Sequence, residues 1–104
     1  MAIVLFMVRA KVEPVREDAF NHWYDTEHVP QVLRYPGAVS ARRYKQILGD
    51  DTFEYMALYE FASEATFAAF HTSEHLAELI REYDARFGDC SDRRRSAFVQ
   101  VFPR

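Results

Sequence analysis

The chain has 104 residues, of which 49% are apolar and 15% aromatic, and a formal net charge of −3. That length fits one domain, and the composition is too apolar for a disordered chain. The acidic balance excludes bulk nucleic-acid binding, which needs a basic surface to displace counterions, and the lone Cys90 excludes both an internal disulfide and a thiolate metal cluster.

Residues 2–9 (AIVLFMVR) form a continuous apolar run ended by charge. Its length suits a strand buried on both faces. It is far too short to span a membrane, and no cationic segment precedes it as in a signal peptide. The expectation is a soluble, cytoplasmic protein with neither nucleic acid nor membrane as partner. Pro14 sits where a first helical turn accepts it. Val15, Ala19 and Trp23 follow at spacings of four, with Phe20 alongside, so an amphipathic helix is expected. Pro30 disfavours helical geometry at Val29, which predicts that this helix ends near His28. Pro36-Gly37 breaks any short turn that continues beyond it.

Residues 38–47 suit a second strand, and Gly49-Asp50-Asp51 a turn. Residues 53–61 alternate, with Phe53, Tyr55, Ala57, Tyr59 and Phe61 on one face and Glu54, Met56, Leu58 and Glu60 on the other. Ser63 suits the N-cap of a short helix over 64–70, and Thr72 or Ser73 that of a second. Leu76, Leu79, Ile80, Tyr83 and Phe87 give the second helix its apolar stripe, and Gly88 its end. Arg93-Arg94-Arg95 reads as a solvated approach to a last strand over 96–102.

The order β-α-β-β-α-β is the split-βαβ, ferredoxin-like arrangement: an α+β fold with helices on one face of a four-stranded antiparallel sheet. Two helices bury only one side of that sheet. The first strand is apolar on both faces, and the third carries Met56 and Leu58 on its uncovered side. Such a patch is larger than a monomer normally exposes. An identical sheet is its simplest cover, so the chain itself is the expected partner, as a homodimer.

All four histidines fall in two segments, residues 20–30 and 70–75. Histidine is the side chain best suited to moving protons near neutral pH. At ~100° per residue, Glu27 shares a side with Phe20 and Trp23, where a carboxylate needs a partner such as Arg42, Arg43 or a histidine. His28 sits where helix gives way to loop, a position that serves either catalysis or capping. His75 lies in the first turn after a cap, where the helix dipole favours the neutral imidazole that a general base requires. His22 flanks the apolar face, and His71 ends the preceding short helix. Tyr55 and Tyr59 are either an aromatic core layer or a pocket wall with phenols aimed at a polar group. Arg43 points inward or pairs with Glu27 or Glu54. His71 and His75 stand four apart, but the intervening Thr72-Ser73 reads as a helix start that spoils one-face metal geometry. Three glycines form no phosphate loop.

The stretch Phe20 to Tyr44, with Trp23, His28 and Pro30 in a W-x-x-x-x-H-x-P pattern, resembles the dimeric α/β-barrel superfamily, and most of all its EthD-like members. The segment FHTSEHLAEL resembles the H-x-x-x-H helix start common there. In a polyketide-cyclase member the final histidine of a comparable start is catalytic, which by resemblance points to His75. The sequence departs from the haem-degrading members, since its only tryptophan lies on the first helix. It departs from the cyclase too, since its first strand has no histidine. The superfamily includes cyclases, isomerases, cofactor-free monooxygenases and proteins without assigned activity, so the fold alone does not choose a reaction.

The reading that follows is a small-molecule enzyme that needs no cofactor and no metal. It would perform cyclisation, isomerisation, dehydration or decarboxylation on an aromatic, polyketide-like or catabolic intermediate. His28 and His75 would move protons, with Glu27 orienting one of them. Trp23, Tyr24, Arg43, Tyr55, Tyr59, His71 and His22 would surround the substrate. The alternatives are a cofactor-free monooxygenase and an EthD-like accessory or ligand-binding protein without catalysis.

Overall fold

The computed structural model describes residues 2–104. Four strands, β1 (Val4–Val12), β2 (Ala38–Lys45), β3 (Tyr55–Phe61) and β4 (Ser91–Val99), form one antiparallel sheet in the order β2-β3-β1-β4. The connections are a helical segment after β1, a loop between β2 and β3, and two helices, α3 (Glu64–His71) and α4 (Glu74–Phe87), before β4. This is the expected ferredoxin-like α+β arrangement.

Period-two alternation divides the sheet into two faces. Val4, Phe6, Val8 and Ala10 of β1 are buried toward the helices, and Leu5, Met7 and Arg9 are half-buried on the other side. Antiparallel register places Phe6 opposite Tyr59 and Val8 opposite Ala57, so β3 turns the same face inward. Phe20, Trp23, Phe70, Leu76, Leu79, Tyr83 and Phe87 close the core from the helical side. The caps are those the side chains dictate. Ser63 Oγ accepts from Thr66 N at 3.1 Å, and Ser73 Oγ accepts from Leu76 N at 3.1 Å.

The first strand spans Val4–Val12 rather than 2–9, and the second and last end earlier than expected, at Lys45 and Val99. Three further differences bear on the site, each for a physical reason. The first helix does not end at His28. It runs as α1 (Glu17–Trp23), a π-helical turn over Tyr24–His28, and α2 (Val29–Leu33), with Val29 in helical geometry at φ −60°, ψ −47°. Pro30 follows a stretch where the hydrogen-bond ladder is already shifted from i→i+4 to i→i+5, and such widened turns admit what a regular helix rejects. Phe53 lies outside β3 and leaves the aromatic face. It sits instead among the cations Arg9, Lys11 and Arg94. Finally, β4 starts at Ser91, so the arginine run is inside the strand, where Ala10 pairs with Arg93 and Val8 with Arg95.

Gly37 turns the chain into β2 with φ +99°, a conformation that glycine alone adopts freely. A Cβ there would also collide with Thr66 Cγ2. Gly37→Ala is expected to destabilise the fold by about 2 kcal/mol or more in urea unfolding. Adding Thr66→Ser, which removes the colliding methyl and keeps the hydroxyl, is expected to recover about 1 kcal/mol of that loss.

Candidate functional site

The π turn decides which side chains face the sheet. In a regular helix, His28 would stand ~140° around the axis from Trp23, and Glu27 only ~40° from it. The wider turn brings residues five apart into line. His28 is therefore the buried member, stacked on Trp23 with ring centroids 4.8 Å apart at 27°. Tyr24 meets His28 edge-on at 4.8 Å. Glu27, expected on the inner side, is exposed to solvent.

Beside His28 lies a small cavity of about 20 Å³ between sheet and helices. Its apolar walls are Phe6, Val8, Phe70, Leu76 and Leu79, and its polar groups belong to Tyr24, His28, Tyr59, Arg93 and Arg95. Several of these are unsatisfied. His28 Nδ1, Tyr59 OH and, behind the histidine, Trp23 Nε1 are buried without a hydrogen-bond partner. Each such atom costs on the order of 1–3 kcal/mol. Buried orphans are uncommon in folded proteins, so two on the lining of one cavity, with a third behind it, mark it as more than core.

The electrostatics are one-sided. Burial first, then the charges of Arg93, Arg43 and Arg95, lower the His28 pKa to about 3. Its imidazole is neutral throughout the physiological range. Burial holds the Tyr24 and Tyr59 phenols above their ordinary value, so both remain protonated donors. Arg93 lies over the Tyr83 ring at 3.7 Å and reaches Asp84 Oδ1 at 3.3 Å. Arg95, though exposed overall, loses some basicity through partial desolvation of its guanidinium and the nearby Arg93 charge.

The other expected site residues are dispersed. The His75 ring Nε2 lies 2.8 Å from the carbonyl oxygen of Gln31, which ties α4 to α2, and His75 does not line the cavity. Arg43 donates to Asp25 Oδ1 and Asn21 Oδ1, both at 2.9 Å, and lies 4.6 Å over the Tyr24 ring. It clamps the helix to β2, with Asp25 in place of the expected Glu27 or Glu54. Tyr55 donates to Glu17 and accepts from Asn21 Nδ2 at 3.1 Å, facing a separate open groove of about 530 Å³. Glu54, Asp89 and Asp92 share that groove, so acidic side chains rather than orphaned polar atoms surround it. His71 stacks on Phe67 at 5.7 Å and borders another groove, between α3 and β4. His22 is exposed to solvent. Among the described residues, no group of three or more His, Cys, Asp or Glu is placed to hold a metal.

Arg93 and Arg95 were not anticipated. The signal available was alternation: Arg93, Arg95, Ala97 and Val99 fall on one strand face opposite Ala10, Val8, Phe6 and Val4.

His28 also couples the site to pH. The unfolded histidine titrates near 6.5 and the folded one near 3. Between these values the unfolded chain binds more protons, so stability falls as pH drops below about 6.5. The expected loss is ~3 kcal/mol by pH 4, largely abolished in His28→Gln. Nitrogen-15 NMR is expected to show the His28 ring neutral down to about pH 4.

No functionally curated protein matches the sequence. Among solved structures, the fold is similar to an EthD family protein from Bacillus halodurans, at 14% identity and TM-score 0.67, covering 92% of this chain and 97% of that one. It is similar to a point mutant of SnoaB, a cofactor-independent oxygenase from Streptomyces nogalater, at 17% identity and TM-score 0.69, covering 98% of each chain. A protein provisionally described as an antibiotic biosynthesis monooxygenase from Bordetella bronchiseptica matches at 14% identity and TM-score 0.72, covering 98% of this chain and 100% of that one. At these identities the likeness establishes the fold and leaves the chemistry open. The family described as a domain of unknown function, DUF4286, matches residues 3–99, and the chain belongs to that family.

Proposed function

We propose that the protein is a small-molecule enzyme of the dimeric α/β-barrel type that performs proton-transfer chemistry without a cofactor, with His28 as the base. The substrate is an enolisable aromatic, polyketide-like or catabolic intermediate, and the reaction is a cyclisation, isomerisation, dehydration or decarboxylation. The observation that carries this reading is the buried imidazole with an unpartnered Nδ1 beside a cavity lined by two arginines. A base must be neutral to accept a proton, and burial keeps His28 neutral. Its basicity is low because burial, and then the neighbouring arginines, disfavour imidazolium. Proton transfer from a substrate creates imidazolium and enolate together. The enolate offsets the new cation, while Arg93 and Arg95 stabilise the enolate. Tyr24 and Tyr59 donate to substrate oxygens, and the Trp23 stack fixes the imidazole plane.

The likeness to SnoaB supports a second reading, cofactor-free oxygenation, in which the same deprotonation makes a carbanion that reacts with dioxygen. One experiment addresses both. A panel of enolisable aromatic β-keto acids is incubated with the protein in air and under nitrogen, and products are followed by mass spectrometry. Turnover is expected in both atmospheres and should fall by about 10²- to 10⁴-fold in His28→Gln. Turnover in air alone would select the oxygenase. No turnover in either atmosphere would favour the non-catalytic binding protein.

The functional unit of the proposal is a homodimer of single-domain chains. On the face away from the helices, Leu5, Met7, Met56 and Leu58 are half-buried and Phe98 is 54% exposed, forming an apolar sheet surface. A second copy supplies the self-complementary cover. Light scattering is expected to give a dimer mass, and Leu58→Lys, at the centre of that face, is expected to shift the protein to monomer.

A further inference from the structure

The cavity beside His28 is small, and its boundaries say what could enlarge it. Its volume of about 20 Å³ holds roughly one water. Two of its boundaries, Arg93 and Arg95, are long side chains on β4, which ends the sheet order. Arg95 is exposed, and Arg93 is held by Asp84 at 3.3 Å and by the Tyr83 ring at 3.7 Å. The remaining walls include the aromatic rings of Phe6, Tyr24, Tyr59 and Phe70.

Charge pairing around these rings is incomplete. Three arginines influence the His28 ring, namely Arg93, Arg43 and Arg95. Arg43 is answered by Asp25 at 2.9 Å. Arg93 has Asp84, at a longer 3.3 Å, and that carboxylate side chain is itself 61% exposed. Arg95 makes no ion pair among the described residues. The cavity therefore has a surplus of positive charge and no anion of its own. The Tyr59 hydroxyl, on a residue only 1% exposed, has no partner either. Arginine presents a planar fork of donors that fits the two oxygens of a carboxylate better than any neutral group.

We infer that this site takes a flat, ring-bearing carboxylate, which enters at the edge between β4 and α4. Arg93 and Arg95 hold the carboxylate, and the ring lies among the aromatic walls beside His28. The inference rests on the proposed function for the location of the site, and adds the charge and shape of its substrate. Arg93 exchanges Asp84 for the ligand, and Arg95 gains its first counter-ion. Arg93 and Arg95 are thus substrate-binding residues and determine specificity.

Benzoate and benzamide test this, since they share a shape and differ in charge. Trp23 is the only tryptophan and stacks on His28, so its fluorescence reports occupancy of this site. At low salt, benzoate is expected to bind at least about tenfold tighter than benzamide, with the preference shrinking as salt rises. Arg95→Met should remove the preference, and Arg95→Lys should restore part of it. Arg95 is exposed, so the variant keeps the core intact, and Arg93→Met serves as a second variant. Benzoate should also raise the NMR-measured pKa of His28, whereas benzamide should leave it unchanged. Equal binding of the two compounds, binding of neither at millimolar concentration, a benzoate preference indifferent to Arg95→Met, or an unmoved His28 titration would each overturn the inference. Failure of the catalytic reading looks different: turnover that survives His28→Gln alongside an intact, arginine-dependent preference for benzoate.

Discussion

The stack of His28 on Trp23 exists only because five residues of the first helix are wound as a π turn. Removing the widening would rotate an exposed glutamate toward the sheet and the histidine toward solvent. The same turn sets Tyr24 edge-on to His28 and under the Arg43 guanidinium, which in turn holds Asn21 and Asp25. One irregularity of the backbone thus fixes an imidazole, a phenol and a clamp together. A π turn is less favourable than an α turn and is frequent at functional sites. Here the tertiary contacts that hold it are the groups that define the site.

The same small volume concentrates what a core normally avoids. A neutral imidazole, an unpartnered phenol, an unpartnered indole nitrogen and two arginines meet where aliphatic packing would be more stable. Elsewhere the exceptions are fewer, with single orphaned atoms at Gln31 and Arg43. Ser63 and Ser73 cap their helices, the β1 face alternates, and Phe20, Phe61 and Phe70 are fully buried. Local violations gathered in one place, against a consistent background, are the pattern expected where function and stability compete. The aromatic lattice around Phe20, with Tyr83 and Phe87 in edge contacts at 6.2 and 5.3 Å, supplies apolar burial that offsets the exception.

The fold was legible because it depends on periodicity and turn chemistry, which are local. The alternation in β3, the Ser63 and Ser73 caps and the stripe on α4 each agree with the global arrangement. Pro30 misled, because its steric rule applies to a regular helix and the π turn changes the ladder around it. Glu27 is exposed rather than sheet-facing for the same reason: a fixed angle per residue is wrong across a change of helix type. The dipole at a helix start points to His75 as a neutral base, yet its partner is a carbonyl on α2 that no local pattern reveals. Three consecutive arginines look like a solvated run until pairing with β1 is known, and that pairing is long-range. What stayed hidden in the sequence is what depends on contacts between distant segments.

Strand β4 links the two faces of the sheet. Its inward positions carry the arginines of the cavity, and its outward positions carry Arg94, over Phe53, and the exposed Phe98. As the end of the sheet order, it is hydrogen-bonded only to β1. The backbone that aims Arg93 and Arg95 therefore has support on one side alone. In the proposed dimer, burying Phe98 against a second sheet would restrain that strand from its outer face. The arginines would then gain a fixed origin, with Arg93 further held by Asp84 and the Tyr83 ring and Arg95 left exposed. In the proposed site, subunit pairing would thus fix the strand that aims the cations without touching the exposed side chain of Arg95.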